Sequence, residues 1–423
     1  MSTEPDRGPH GTPPPASVPP DIVVGSLHGE VFEANPSPAW RELRAIAPFF
    51  HDTVDDVRVL SRHDDVVWAF TQAPGLSNRV YGRTVGKVFG ESMLQMDGFE
   101  HVQRRKIVAP QMMGGRLAKY SDLIETVSGE IADDATRSGD FDLVSAVSAR
   151  LPGTVISTLL GLPVADHKRF FDWYNAMMAG LWKDAELRRR GHVAHLEFQD
   201  YLRPIIAERS ERPGDDLISR LLTAQVDGEK LDSDDLGSFI SLLLTAGGET
   251  TDKAIANLWW LLMTHPDEYT ACRNDPDRLE LVFSETMRLF PSLLYLGRET
   301  TEPLRRRDVE IPVGSVVRLA VGSANRDERV FTDPDRFWPD RPDLHRGREL
   351  RSAQLGQDGE AGHLAFGAGA HFCIGYELAR LETIAVSRAL LKRLGPSPQL
   401  ISTASPKAQP PAWTLETLVI RPS

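Results

Sequence analysis

The chain has 423 residues, of which 41% are hydrophobic and 26% charged, a balance typical of globular proteins rather than disordered or fibrous ones. Its net charge of -12 argues against nucleic acid as a partner, because neutralising phosphates requires clustered excess lysine and arginine. The only cysteines, Cys272 and Cys373, exclude a disulfide framework and a metal site built from paired cysteines.

The chain divides into a short polar segment and one large unit. Residues 1–22 are proline-rich and lack the apolar core of a secretory signal, so we expect a disordered leader. Residues 23–423 show neither a linker nor a repeat and are expected to form a single domain. No apolar stretch reaches the roughly 20 residues of a membrane span. We therefore expect a cytoplasmic protein that does not contact a membrane.

The first half of the chain is predicted to be mainly helical. Pro36 to Ala47 shows a helical pattern, a short strand follows at Arg58, and a helix is expected from Asp64 to Phe70. Beyond residue 100, apolar side chains recur at three- and four-residue spacing in Arg116 to Thr136, Leu143 to Leu160, Ala165 to Leu181, His192 to Arg209 and Leu236 to Thr264.

The second half mixes strands, a long loop and a final helix. After Pro291, alternating residues around a Pro-Val-Gly turn predict a small sheet. Pro334 to Gly367 is rich in Pro, Asp, Gly and Arg and predicts a long ordered loop, which in a compact domain usually serves a site. A helix is expected from Ile374 to Arg393. The predicted fold class is mainly α with a small β region.

A cysteine lies between that loop and the final helix. Residues 366–375 read FGAGAHFCIG, which places Cys373 just before the helix. At a helix N-terminus, free amides and the positive end of the dipole stabilise a thiolate. We therefore expect Cys373 to be ionised at neutral pH, the form that binds metals. A small buried hydrophobe is the alternative for a lone cysteine.

Two adjacent glycines interrupt a strongly helical segment. Gly247 and Gly248 lie in LLLTAGGETTDKAIANLWWLL. Each costs about 1 kcal/mol relative to alanine, so another interaction must compensate. A helix end with a glycine cap is one interpretation. The apolar periodicity continues in phase from Phe239 to Leu262, however, and favours a helix that runs through the glycines.

The cysteine segment resembles the haem-binding signature of the cytochrome P450 superfamily. A chance match at six fixed positions is on the order of one in a million, and the matching residues are Phe366, Gly367, Gly369, His371, Cys373 and Gly375. The resemblance implies the cytochrome P450 fold, with haem b bound in a single large domain. It also implies that Cys373 ligates the iron, that Phe366 packs beside the sulfur and that His371 donates to a haem propionate.

The glycine segment resembles a second motif of that family, matched by Ala246, Gly247, Glu249 and Thr250. The resemblance implies an opened helical turn that leaves room for dioxygen. A hydroxyl beside a carboxylate can relay protons, so Glu249 and Thr250 are the predicted catalytic pair. Two alternatives stay open, namely that Thr250 bonds back to its own helix and that Glu249 is an ordinary surface acid.

A charged triad is implied by two further segments. Glu285 and Arg288 are three residues apart on a predicted helix and share a face. Such pairs are common on solvated surfaces and mean little alone. The downstream FTDPDRFWPDR resembles the family segment that supplies a second arginine, here Arg341. The three residues are expected to be structural and to lock the loop that leads to the cysteine.

Three more basic residues fit the family's contacts with haem propionates. His101 and Arg105 lie one helical turn apart, and Arg298 follows in LYLGRET. An arginine fork suits a buried carboxylate well. Each alone is more often a solvated basic side chain. Their order relative to the triad and the cysteine favours the binding role.

The resemblance implies a monooxygenase that inserts one atom of O2 into a hydrophobic small molecule, for example a natural-product intermediate. No flavin- or nicotinamide-binding motif is present, so electrons are expected from a separate ferredoxin and its reductase. We expect a monomer whose docking patch draws on Arg104, Lys106, Arg346, Arg348 and Arg351, with an ordinary solvated basic face as the alternative. Two other functions stay open: a peroxide-driven haem-thiolate enzyme, and a non-catalytic haem sensor or carrier.

The expected substrate contacts are mainly apolar, which predicts an apolar ligand. They are Val80, Tyr81, Val85, Phe89, Leu242, Leu293, Leu294, Leu296 and Trp413. Plain core packing is the alternative at each position. Helices between Ala165 and Arg209 are expected to form a mobile lid.

Overall fold

A computed structural model describes residues 29–137, 139–181, 184–307, 309–344, 361–409 and 411–423. The predicted leader, residues 1–22, lies outside these ranges, as do Arg346, Arg348 and Arg351 of the predicted docking patch. Within the described ranges, no helix combines the length and apolar character that crossing a membrane requires.

Helices form most of the described chain. In chain order they are α1 (Glu30–Ala34), α2 (Ser37–Ile46), α3 (His63–Thr71), α4 (Val85–Phe89), α5 (Gly98–Val108), α6 (Gly114–Ala118), α7 (Ser121–Thr136), α8 (Leu151–Leu159), α9 (His167–Ala179), α10 (Ala185–Glu211), α11 (Leu217–Thr223), α12 (Ser233–Thr264), α13 (Pro266–Asn274), α14 (Leu279–Leu289), α15 (Val321–Ala324) and α16 (Tyr376–Arg393). Among the shorter helical turns are a 3-10 helix at Asn78–Arg83 and a π-helix at Val144–Ser148.

The strands are short and belong to four small sheets in the described chain. They are β1 (Phe49–Asp52), β2 (Val57–Leu60), β3 (Leu76–Ser77), β4 (Phe141–Asp142), β5 (Leu296–Thr300), β6 (Leu304–Arg306), β7 (Val309–Ile311), β8 (Val316–Leu319), β9 (Gln399–Thr403), β10 (Lys407–Gln409), β11 (Ala412–Thr414) and β12 (Leu418–Arg421). The largest sheet has the order β1-β2-β8-β5-β3, and its β2–β8 pair is parallel with Arg58 opposite Val317.

The long helix α12 is the centre of the main hydrophobic core. The Asp232 side chain accepts from the backbone N–H of Asp235, while the Asp235 side chain accepts from the Asp232 N–H, so a capping box begins the helix. Apolar residues around much of its circumference are buried, and α12 contacts α8, α9, α14 and α16. The Trp259 indole donates to Ser387 of α16 over 3.1 Å. The helix that follows the cysteine is thereby fixed against α12.

A buried arginine ties α2 to α15 and the turn that follows it. Arg44 of α2 is only 2% exposed, and it donates to both oxygens of Ser323 at 3.0 and 3.1 Å and to Glu328 at 2.7 Å. Close packing supports this joint, because a Cβ on Gly322 would lie 2.4 Å from the Trp40 ring. The first helices are therefore integral to the fold.

Most predicted helices are confirmed, and the differences lie in their ends and in two interruptions. The segment from Arg116 to Thr136 forms two helices, α6 and α7, and the segment from Leu143 to Leu160 opens with the π-helix before α8. Helix α10 begins seven residues before the predicted His192 and contains Pro204. Sequence periodicity did not predict the following elements: α1, α4, α5, α11, α13, α15, β1, β3, β4 and β9 to β12. All of them except α5 have fewer than ten residues, and such short elements carry weak patterns.

Candidate active site

Two glycines shape the loop before Cys373. Gly367 and Gly369 both have φ +69°, a left-handed conformation that side chains rarely adopt. A Cβ on Gly369 would also lie 2.5 Å from the Phe70 carbonyl oxygen of α3. The turn brings the Cys373 N–H within 2.9 Å of the Phe366 carbonyl, to which it donates. The backbone thus presents the sulfur just before α16 begins at Tyr376.

The expectation that Cys373 ionises readily is wrong for the polypeptide alone. Burial raises the pKa of its thiol, and this effect outweighs the backbone amides of Gly375 and Tyr376 and the charge of Arg105, all of which lower it. The predicted helix-terminus effect exists but is too small. Coordination to a metal would itself deprotonate the sulfur.

Two histidines stack beside this loop. The rings of His101 and His371 have centroids 3.9 Å apart. Asn78 donates to Nδ1 of His371 over 2.8 Å, and His371 Nε2 donates to Asp97 over 3.2 Å. Both ring nitrogens of His371 therefore have protein partners. The predicted hydrogen bond from His371 to a propionate would have to replace the one from Nε2 to Asp97.

Burial and hydrogen bonds set the charge states of His101 and Asp97. Burial, with His371 and Arg105 nearby, lowers the pKa of His101 to about 4, so its ring is neutral at pH 7. Burial alone would raise the pKa of Asp97, but hydrogen bonds from His371, Ser77 and Asn78 outweigh it and hold the pKa low. The sequence analysis missed Asn78 and Asp97. The spacing of Asp97 four residues before His101, which puts the two side chains one helical turn apart, could have indicated the acid.

Two arginines complete the basic cluster. Arg105 of α5 donates to the Phe372 carbonyl, next to the cysteine. Arg298 of β5 is 5% exposed, donates to the Gly297 carbonyl and lies 5.3 Å from the centre of the Phe70 ring. Among the described residues, no carboxylate forms an ion pair with Arg298. A buried guanidinium of this kind suits an anionic ligand.

These residues fit the haem that the resemblance implies. One thiol is held by the backbone beside a cluster of two arginines and two histidines, the donor set that an iron and two propionates require. On α12, Ala246 is exposed although its helix is central to the core. The protein groups for both the iron and the carboxylates are thus present.

The predicted opening of α12 is not observed. The helix runs unbroken from Ser233 to Thr264. A Cβ on Gly247 would lie 2.7 Å from Ile156 of α8, and one on Gly248 would lie 2.7 Å from the Tyr174 ring of α9. The glycines therefore allow neighbouring helices to approach closely, and that packing compensates for their low helix propensity.

The predicted catalytic pair has local partners. The Thr250 hydroxyl donates to the Ala246 carbonyl over 2.7 Å, so it bonds back to its own helix. The Thr250 carbonyl accepts from the Ser292 hydroxyl over 2.6 Å. Glu249 forms an ion pair with Lys253, one turn along α12. The acid and the hydroxyl are adjacent but not bonded to each other.

The charged triad is brought together completely. Glu285, Arg288 and Arg341 are each 0% exposed. Glu285 accepts two bonds of 2.8 Å from Arg288 and one of 3.1 Å from Arg341. The Trp338 N–H adds a fourth bond of 3.0 Å. The triad therefore anchors residues 334–341 to α14. Its predicted role in locking the loop that leads to the cysteine stays a prediction, because residues 345–360 of that loop lie outside the described residues.

The predicted substrate contacts do not form one cluster and fall into three groups. Val80 and Tyr81 pack at the start of β5, where the Gly297 N–H donates to the Tyr81 hydroxyl over 3.1 Å. By contrast, Leu294 and Trp413 are core residues of the cluster that contains Trp40. The remaining positions are partly buried (Val85, Leu242, Leu293 and Leu296) or, for Phe89, packed edge-to-face against His195.

The basic residues of the predicted docking patch are only partly described. Arg104 forms a 2.8 Å ion pair with Asp235. Lys106 lies 3.8 Å from Asp227. Lys106 also lines a surface cavity of about 530 Å³, together with the basic side chains of Arg116, Lys119 and Arg220.

Comparison with known proteins agrees with this geometry. The family model described as cytochrome P450 matches residues 56–406. A putative cytochrome P450 123 of Mycobacterium tuberculosis is 33% identical over 382 residues, covering 89% of this chain and 90% of the relative. The erythromycin C-12 hydroxylase of Saccharopolyspora erythraea is 35% identical over 305 residues, covering 71% and 72%.

A solved structure shows the same fold. That of CYP109E1 from Bacillus megaterium, in complex with corticosterone, superposes with a TM-score of 0.81 at 27% identity. The match covers 93% of this chain and 100% of the neighbour. Since the family match spans most of the chain and includes the cysteine loop, the chain belongs to the cytochrome P450 family and is a haem-dependent monooxygenase.

Proposed function

We propose that the protein binds haem b and inserts one oxygen atom from O2 into a hydrophobic natural product, using electrons from a ferredoxin and its reductase. We further propose that it works as a cytoplasmic monomer. One observation carries the proposal: the backbone presents the Cys373 sulfur beside four converging basic side chains.

Cys373 and the basic cluster would hold the cofactor. The thiolate would ligate the iron, while Arg105 and Arg298 would bind the propionates through charge-assisted hydrogen bonds. His101, neutral at pH 7, would add a neutral donor. When bound, haem supplies the activation of dioxygen. The protein contributes the ligand, the orientation of substrate and the supply of protons.

Proton supply is assigned to Glu249 and Thr250. The Thr250 hydroxyl proton is directed to the Ala246 carbonyl, so a rotation about χ1 would redirect it into the space beside Ala246. Glu249 would replace that proton after leaving its ion pair with Lys253. A peroxide-driven enzyme or a gas carrier needs neither group, and this favours the oxygen-dependent reaction.

The substrate class rests on the relatives and on the apolar side chains near the cysteine loop. One relative is named for hydroxylating erythromycin, and one neighbour was solved with corticosterone. Leu296 is the first residue of β5, Val80 packs beside Gly297 of the same strand, and Leu242 lies on α12 one turn before Ala246. Apolar side chains of this kind favour a large, mainly apolar ligand.

Four cations around the surface cavity support an acidic redox partner. A protein of net charge -12 gathers Lys106, Arg116, Lys119 and Arg220 at one cavity. Because Lys106 lies 3.8 Å from Asp227 and Arg220 2.6 Å from Asp215, the local positive charge rests mainly on Arg116 and Lys119. We expect Lys119→Glu to raise the ferredoxin concentration needed for half-maximal reduction at low salt. Unchanged reduction kinetics would remove this cavity from the docking surface.

The decisive test is spectroscopic. Purified haem-loaded protein, reduced and exposed to carbon monoxide, should show the red-shifted Soret band of thiolate-ligated iron, and Cys373→Ser should abolish it. Cys272→Ser, a substitution of the buried thiol on α13, is the matched control and should leave the band unchanged. Absence of the band in folded, haem-loaded wild-type protein would refute the proposal. Turnover with peroxide but none with reductant and O2 would refute its electron-transfer part.

A further inference from the structure

The cationic cavity of about 530 Å³ opens on the surface where α5 and α11 approach each other. Its lining comes from the last turns of α5, from residues 110–119 and from α11 with the turn that follows it. Pockets that hold organic small molecules have volumes of about 300–1,000 Å³. The cavity is therefore large enough for an organic molecule.

Gln111 brings a buried amide without a partner to this cavity. The residue lines the cavity and is only 5% exposed. In the part of the chain that the structure describes, its side chain forms no hydrogen bond. Buried amides are nearly always hydrogen-bonded, because burial removes their water partners. The partner of the Gln111 amide must therefore come from whatever fills the cavity.

The cavity also carries an excess of positive charge. Arg116 and Lys119 lie three positions apart in helical conformation, so they share one face, and neither forms an ion pair among the described residues. The two other cations, Lys106 and Arg220, each have an exposed aspartate partner, at 3.8 and 2.6 Å. Four cations thus face two carboxylates, which leaves two positive charges to be balanced.

We propose that this cavity is a binding site for an organic phosphate monoester. Such a group carries a charge of about −1.5 to −2 at pH 7 and three acceptor oxygens. It matches the two excess charges and the donors of Gln111, Arg116 and Lys119, whereas a carboxylate would balance only one charge. The organic part of the ligand would lie against Ile107 and Val226, apolar side chains of the same lining.

Occupation of the site would regulate electron transfer, and this part of the inference rests on the proposed function. Lys119 is also the cation through which an acidic ferredoxin is proposed to dock. A bound phosphate monoester would neutralise the cavity and weaken the attraction between the two proteins. The ferredoxin concentration needed for half-maximal reduction should then rise.

The first experiment is isothermal titration calorimetry of haem-loaded protein at low ionic strength, where surface charges are least screened. The probe is adenosine monophosphate, which should bind with one molecule per chain. Adenosine should not bind, and inorganic phosphate should bind more weakly because it has no organic part. Lys119→Ala and Gln111→Leu should each weaken binding of the monophosphate about tenfold, since each removes a donor to a charged group.

A matched variant separates this site from a general effect of charge. Lys392→Ala removes an exposed cation from the last turn of α16, outside the cavity, and should leave the affinity unchanged. Lys119 is exposed, so its variant is expected to fold, and it decides the question even if Gln111→Leu does not bind haem. The assignment is wrong if neither adenosine monophosphate nor phenyl phosphate binds saturably, or if Lys119→Ala binds as tightly as wild type.

The second experiment measures reduction of the haem-loaded protein by reduced ferredoxin, with and without adenosine monophosphate at matched ionic strength. We expect the monophosphate to raise the half-maximal ferredoxin concentration in wild type and to have a smaller effect in Lys119→Ala. If ferredoxin does not reduce the wild-type protein, the electron-transfer part of the proposed function fails, while calorimetry still decides the site. If the monophosphate binds but leaves the reduction unchanged, the competition is refuted.

Discussion

Neutralising Glu285 should destabilise the protein far more than neutralising any exposed acid. The substitution Glu285→Gln leaves the guanidinium groups of Arg288 and Arg341 buried with less counter-charge. Arg288 keeps the carbonyls of Asn325 and Pro334, at 2.9 and 2.7 Å, but these are neutral acceptors. Removing one partner of a buried ion pair costs about 3–5 kcal/mol.

The expected loss of unfolding free energy can be measured as a fall in the melting temperature. At about 2.1 cal/mol/K per residue, unfolding 423 residues has an entropy of about 0.9 kcal/mol/K, so 4 kcal/mol lowers the Tm by roughly 4 °C. Circular dichroism of haem-loaded protein, heated at one fixed rate, measures it. The matched control is Asp200→Asn, which breaks an exposed pair with Arg203 at the same helical spacing and should cost less than about 0.5 kcal/mol. Equal shifts for both variants would refute a stabilising role for the triad.

Three further outcomes test the site and its surroundings. Gly369→Ala places a Cβ 2.5 Å from the Phe70 carbonyl at φ +69°, so the haem-to-protein absorbance ratio should fall several-fold, whereas Gly115→Ala, with open space around it, should keep the wild-type ratio. Burial lowers the pKa of His363 to about 4, so the unfolded chain binds a proton first as the pH falls. Stability of about 3 kcal/mol should then be lost between pH 6.5 and pH 4. Urea unfolding should show a shallower pH dependence in His363→Gln, and an identical one would contradict this. Finally, Thr250→Ala should release more hydrogen peroxide per electron pair in a peroxidase-coupled assay, and unchanged release would argue against the relay.

Periodicity predicted the long helices because their burial is set by local spacing. Helices α12 and α16 pack along most of their length, and their apolar positions repeat accordingly. The start of α6, two residues before the predicted Arg116, depends instead on a distant group. The Gly114 N–H at the start of α6 donates to Glu377 of α16 over 2.7 Å, a bond between residues 263 positions apart. A sequence window cannot contain such a determinant.

The site was predictable where its residues share one motif. The turn at Gly367 and Gly369 and the following cysteine lie within ten positions, so their pattern is visible in the chain. Asn78 and Asp97 were missed because their approach to His371 depends on the tertiary fold. The glycines of α12 were misread for a related reason. Their pattern indicates a close approach but does not say whether a ligand or another helix occupies the space.

The main sheet joins segments that are far apart in the chain, and this determines how early the sheet can form during synthesis on the ribosome. Strand β2 is completed only by β8, and the His63 N–H next to it donates to Asp327, which is 264 residues away. At about 10 residues per second, roughly 26 seconds of synthesis separate His63 from Asp327. The early segment must therefore persist as an unpaired strand edge, exposed to aggregation, until translation has passed residue 327. Chaperone occupancy of nascent chains should consequently be highest before β8 emerges.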